Sequence, residues 1–174
     1  MQLMDTSTRY GVTTRLIHWS MALLILGMLA TGAVRELVEH SPLERELMAY
    51  HKSIGMAILA LLVLRVIWRR FNQGAAVASG AERIWVKLGH GALYLMMLLM
   101  PASGLLLAWG SGHGASFFGL PVIAPGAKLE WAHELGEEMH EVGQFLLWAL
   151  IAGHVGAALY HRFFKRDDVM QRML

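Results

Sequence analysis

Four stretches of this chain run almost without charge, and short polar segments separate them. Leu16–Val34, Leu88–His113 and Val142–His161 contain no Asp, Glu, Lys or Arg. The remaining run, Ser53–Trp68, is interrupted only by Arg65, and with Ala49–Lys52 it reaches comparable length. A helix that crosses a bilayer needs about 20 mainly apolar residues. The pattern therefore predicts four spanning helices, over about 15–37, 46–71, 82–109 and 136–164, in one membrane domain covering 1–174. The first run is too long for a signal-peptide core, and Trp19 near its start suits an interfacial anchor. Met1–Thr14 reads as a short polar arm, mobile or interfacial. Arg35–Arg45, with Pro42 as a breaker, reads as a loop. Asn72–Ala81 reads as a Gly/Ala/Ser connector, and Gly110–His133 as a long loop with Pro121 and Pro125. Pro101 and Gly104 are expected to kink the third helix.

Composition supports the membrane reading. Hydrophobic residues make up 56% and charged residues 16%, which a soluble globule does not have. The absence of cysteine excludes disulfides, iron–sulfur clusters and covalent c-type haem. No Gly-rich phosphate loop follows a strand, and no basic tail with interleaved aromatics suggests nucleic acid. The net charge of +2 says little, but its distribution does. With the N-terminus on the cytoplasmic side, Arg9, Arg15, Arg65, Arg69, Arg70, Arg83, Lys87, Arg162, Lys165, Arg166 and Arg172 lie on or toward the inner face. Only Arg35, Arg45, Lys52 and Lys128 lie outside. That asymmetry puts both termini in the cytoplasm.

The candidate chemistry is imidazole. His140, His154 and His161 sit on the last helix at spacings of 14 and 7 residues, which places all three near one stripe. His140 and His154 are about 21 Å apart along the axis at 1.5 Å per residue, too far for one metal ion. Flanking small residues (Gly136, Gly143, Gly153, Ala157 and Ala158) either give clearance for a flat macrocycle or let helices approach closely. In the predicted topology His51 and His140 share an outer depth. His154 lies in the inner half, with either His18 or His90 as partner. Ionisable groups inside a membrane are functional candidates by default. Two imidazoles at each of two depths suit bis-histidine axial ligation of b-type haem better than zinc, which wants three or four converging ligands. The expected fold class is thus all-α, a transmembrane four-helix bundle enclosing two b-type haems.

Other residues have simpler roles. His40 and His113 read as solvated, and His133 as a surface residue within reach of an outer propionate. Met96, Met97 and Met100 read as packing. Arg65, at the inner depth, either pairs with a haem propionate or snorkels to the inner face. His161, Lys87 and His90 lie near the inner interface, where His161 and Lys87 are candidates for a quinone carbonyl.

Arg15-Leu16-Ile17-His18-Trp19, His51-Lys52-Ser53-Ile54-Gly55, Leu88-Gly89-His90 with Tyr94 and Pro101, and the His140, His154 and His161 set followed by Arg172-Met173 together resemble the bacterial cytochrome b561 family over essentially the whole chain. The resemblance implies a bacterial inner membrane and two haem b groups, with His18 and His154 as ligands of the inner iron and His51 and His140 of the outer. It also implies a quinone site near His161, with ubiquinone as acceptor. One branch of that family oxidises superoxide outside and reduces ubiquinone. Other members relay electrons from periplasmic redox proteins as subunits of larger complexes. A haem-free bundle that binds or transports a metal is the alternative from another class. The predicted outer segments carry Glu36, Glu39, Glu44, Glu46, Glu130, Glu134, Glu137, Glu138 and Glu141 against four basic residues. Such a face repels an anion.

Overall fold

The computed structural model describes residues 2–72 and 82–174. Four long helices follow one another: α1 (Val12–Leu37), α2 (Pro42–Phe71), α3 (Glu82–Gly110) and α4 (Glu130–Tyr160). Each is long and apolar enough to cross a membrane. A two-stranded hairpin, β1 (Ala115–Phe117) and β2 (Leu120–Ile123), lies between α3 and α4, and a π-helical turn, His161–Lys165, continues α4. Successive helices run in opposite directions. Both chain termini therefore lie at one end of the bundle, the termini end, and β1–β2 at the other, the hairpin end.

The helices expose large apolar side chains around much of their girth, such as Leu23, Phe71, Phe145 and Phe164. Lipid solvates that surface, so its burial does not hold the bundle together, and close backbone approach takes over. The α3–α4 pair shows this most clearly. A Cβ on Gly136 would stand 2.6 Å from Leu107 N and 3.0 Å from Ser103 O, and one on Gly143 would stand 2.5 Å from Met100 Sδ. α1 packs on α2, and α2 on α3. Met21, Leu62 and Met97 form one buried cluster, and Met96, Met100 and Leu147 another. The three methionines of α3 are thus packing residues, as their sequence context predicts.

The boundaries differ from expectation for local reasons. Pro42 does not break the chain. It is the first residue of α2, where a missing N–H costs nothing, and the Ser41 hydroxyl caps the helix by accepting from Glu44 N–H. Helix α4 starts at Glu130, six residues earlier than predicted, so His133 is helical. The loop between α3 and α4 contains a hairpin whose two-residue turn, Phe118–Gly119, has positive φ at both positions, as a primed turn requires. Ser53 ties this hairpin to α2. Its hydroxyl accepts from Phe118 N–H at 3.0 Å, and Lys52 Nζ donates to Gly114 O at 3.2 Å. Pro101 lies inside α3 without interrupting it. The predicted connector at 73–81 lies outside the described residues.

The N-terminal arm is ordered rather than loose. Asp5 Oδ1 accepts from Gly11 N–H at 2.8 Å and from the Thr14 hydroxyl at 2.7 Å. Thr14 in turn accepts from Trp68 Nε1 and Asn72 Nδ2. Gly11 is required here, since a Cβ would stand 2.3 Å from Leu3 O. The C-terminal tail joins the same cluster. Arg15 Nη1 donates to Leu174 O at 2.7 Å, and Trp19 Nε1 to Met173 O at 3.0 Å. The tail also accounts for Trp19, whose indole is tied to the chain's own C-terminus.

Candidate functional site

Two clusters of imidazoles lie inside the bundle. Near the hairpin end, His51 of α2 faces His140 of α4, with ring centroids 6.0 Å apart and planes at 68°. Nearer the termini end, His18 of α1 faces His154 of α4 at 6.2 Å and 44°. His90 of α3 also approaches His154, at 5.4 Å and 87°. Two imidazoles that share one metal through bonds of about 2 Å bring their centroids to roughly 6 Å. The His51–His140 and His18–His154 separations match that span, and His90–His154 is shorter.

The hairpin-end pair is built symmetrically from the two helical hairpins. Thr31 on α1 lies behind His51, with Oγ1 3.1 Å from His51 Nδ1. The same hydroxyl donates to Met28 O at 2.7 Å. Ser103 on α3 lies behind His140, with Oγ 3.0 Å from His140 Nδ1, and donates to Met100 O at 3.0 Å. Gly104 gives His140 its place against α3, since a Cβ there would stand 3.2 Å from His140 Cε1.

The termini-end cluster is backed differently. His18 Nδ1 is buried without a hydrogen-bond partner. His90 Nδ1 lies 2.7 Å from Val86 O on its own helix. Among the described residues His154 makes ring contacts with His18 and His90 but no hydrogen bond through its ring. Arg65 of α2 does not simply reach out to the interface. Its guanidinium lies 5.5 Å from the Tyr94 ring centroid, with Nη1 3.8 Å from Met21 Sδ, in electrostatic range of His18 and His154. Arg69 stacks on the same ring.

Small residues along α4 divide into two groups. Gly136 and Gly143, on either side of His140, are filled by α3. Their role is close helix approach, not clearance for a macrocycle. Gly153, beside His154, has nothing within 4 Å of its would-be Cβ.

His161, seven residues beyond His154, opens the π-helical turn, and its Nδ1 lies 2.5 Å from Asp167 Oδ2. That hydrogen bond holds the Asp167 carboxyl below the usual carboxylate range. Lys165 pairs with Glu82 of α3, and Arg172 with Asp168 at 2.8 Å. Lys87 is exposed on α3 and forms no ion pair among the described residues, so the α3 residue tied to this turn is Glu82. At the hairpin end His133 Nε2 lies 3.9 Å from Glu137. Arg35 pairs with Glu44 at 3.2 Å, and Lys128 with Glu130 at 3.0 Å.

The donor set fits an axial-ligand role. Among the described residues no group of three or more His, Asp or Glu is arranged to hold a metal ion, as a zinc site would require. Paired imidazoles at metal-sharing separation, in an apolar bundle without cysteine, suit the two axial positions of a b-type haem. Thr31 and Ser103 went unnoticed in the sequence reading of this site. Their only signal is a hydroxyl within an apolar run.

Residues 9–174 match the family model described as prokaryotic cytochrome b561. The chain is 30% identical over 186 residues to cytochrome b561 homolog 2 of Escherichia coli K12, covering 100% of this chain and 95% of that protein. It is 30% identical over 176 residues to cytochrome b562 of Cereibacter sphaeroides, covering 96% and 94%. With the probable superoxide oxidase CybB of Yersinia pestis it shares 26% over 162 residues, covering 91% of each.

Proposed function

This chain belongs to the prokaryotic cytochrome b561 family, multi-pass membrane proteins that carry b-type haem and transfer electrons, and we propose that it holds two haems and passes electrons from a donor outside the membrane to ubiquinone. The observation that carries this reading is the pair of matched imidazole separations, 6.0 and 6.2 Å. In this reading His51 and His140 are the ligands of the outer iron, and His18 and His154 those of the inner iron. The single domain lies in the bacterial inner membrane with both termini in the cytoplasm. The basic residues gathered at the termini end support that orientation.

Two haems held in this way would carry single electrons across the bilayer. Two histidines held for each haem would leave no open position at the iron, which would favour electron transfer over binding a substrate there. Arg65, between Tyr94 and the inner histidines, is placed to pair with a propionate. His161 is held through Nδ1 by Asp167, which leaves Nε2 to exchange a proton with a quinone oxygen at the inner interface. Lys87 is a more distant candidate for the same site.

Haem stoichiometry of the purified protein, with its reduced-minus-oxidised spectrum, tests the reading. Two haems per chain are expected, falling to one in His51→Ala and one in His18→Ala. A preparation without haem sinks it and favours a haem-free metal-binding or transport bundle, and two haems retained in both variants would overturn the ligand assignment.

A superoxide donor is the more specific version, favoured by the likeness to the probable superoxide oxidase of Yersinia pestis. A periplasmic redox protein that uses the chain as an electron-relay subunit is the other. Two of the four outer basic residues, Arg35 and Lys128, are already paired with carboxylates, so the acidic face stands largely uncompensated. If superoxide is the donor, its capture should accelerate with added salt, because screening relieves the repulsion. A rate that falls with salt would show a basic funnel instead.

A further inference from the structure

Thr31 and Ser103 occupy equivalent places, each behind one histidine of the hairpin-end pair, and each hydroxyl has a single proton. Thr31 directs its proton to Met28 O at 2.7 Å and Ser103 to Met100 O at 3.0 Å. A carbonyl only accepts, so at 3.1 and 3.0 Å the hydroxyl oxygens face the two Nδ1 atoms as acceptors. Nδ1 must then be the protonated nitrogen on both rings, which leaves the Nε2 lone pair of each for the space between them. A lone imidazole in the neutral form divides between two tautomers. Here a neighbouring helix selects one of them in each case, α1 for α2's histidine and α3 for α4's. No such selection acts on His18, whose Nδ1 is buried without a partner.

We propose that Thr31 and Ser103 are positioning residues for the outer haem: they hold His51 and His140 as Nδ1–H tautomers with Nε2 toward the iron, and they lower the potential of that haem relative to the inner one. The proposal rests on the two-haem reading. A hydrogen bond from Nδ1–H to an acceptor raises the electron-donating power of the ligand. Stronger axial donation stabilises ferric over ferrous iron, so the potential moves down. The inner pair lacks this support and lies in range of the positive charge of Arg65, which favours the reduced state. The two effects act together, and an electron that enters at the outer haem runs downhill to the inner one.

The test is an equilibrium redox titration of the full-length protein in detergent, followed at the haem absorption bands and resolved into two components. Wild type, Thr31→Val, Ser103→Ala and the double variant are compared with Thr31→Ser and Ser103→Thr, which keep a hydroxyl. The lower-potential component should move to more positive potential in each hydroxyl-free variant and furthest in the double variant, while the other component stays. The hydroxyl-retaining variants should titrate like wild type. If a hydroxyl-free variant loses the outer haem and its hydroxyl-retaining counterpart keeps it, the positioning role also stands. Unchanged potentials in the double variant would overturn the proposal, as would loss of the haem in the hydroxyl-retaining variants, which would mark these positions as packing sites only. A wild type with two haems that titrate as one component would also overturn the proposal, whereas a wild type with fewer than two haems per chain would instead reject the two-haem reading itself.

Discussion

The two imidazole pairs have nearly the same separation and very different surroundings. His51 and His140 lie at the end of the bundle where α3 and α4 approach most closely, and each leans on a hydroxyl of the adjacent helix. His18 and His154 face each other across α1 and α4. A third histidine and an arginine are near, but no hydroxyl lies behind either ring. Matched separation therefore does not mean matched chemistry. In an apolar bundle the second contact of each ring sets its tautomer and its donor strength, and that contact is what differs between the ends.

The comparison breaks most decisively if the termini-end pair has been assigned to the wrong partner. His90→Ala should keep two haems per chain, and His18→Ala should keep one, by haem quantification of the purified variants. The reverse result would make His90 the inner ligand. It would also remove the contrast between the two pairs, since His90 does have an acceptor at its Nδ1.

A smaller effect separates the two ends by packing. Gly136→Ala sets a Cβ against the α3 backbone. Overpacking of this kind costs about 1–3 kcal/mol, so a clear drop in the thermal midpoint is expected, together with a disturbed His51–His140 spectrum. Gly156→Ala meets nothing within 4 Å. It should leave the midpoint unchanged or raise it, by no more than about 1 kcal/mol from helix propensity. Equal sensitivity at both glycines would show that α4 is gripped alike along its length.

The smallest expected effect is on pH dependence at the termini end. The Asp167 carboxyl is held below its ordinary value by the hydrogen bond to His161. Ionised Asp167 thus stabilises the folded state at pH above the ordinary Asp value of about 3.9 and loses that contribution as pH falls through its lowered value. The difference in thermal midpoint between wild type and Asp167→Asn should be largest above about pH 5 and vanish at strongly acid pH. The group is exposed, so the difference should be small. A difference that grows on acidification would show that the pair acts with the opposite sign.

Much of the fold was legible in the chain because lipid imposes a simple rule. A segment long and apolar enough to span does so as a helix that satisfies its own backbone, and four such runs are plain to see. The polar segments were harder to read. Pro42 looked like a breaker because its neighbours Ser41 and Glu44 had not been recognised as a cap. The hairpin escaped notice because seven strand residues carry little periodicity. The arm before α1 looked loose because its partners, Asn72 and the C-terminal tail, are distant in sequence.

By itself the sequence determined the number of spans, the depths of the histidines and the family, since span length, helical rise and motif identity are all one-dimensional quantities. Only the tertiary structure decided which glycines serve helix contact. It also showed that His161 is held by Asp167, and that Thr31 and Ser103 lie behind His51 and His140. Those outcomes depend on the rotation of each helix about its axis. In lipid that rotation is set by side chains meeting across helices, because hydrophobicity, equal on all sides, gives no preferred face.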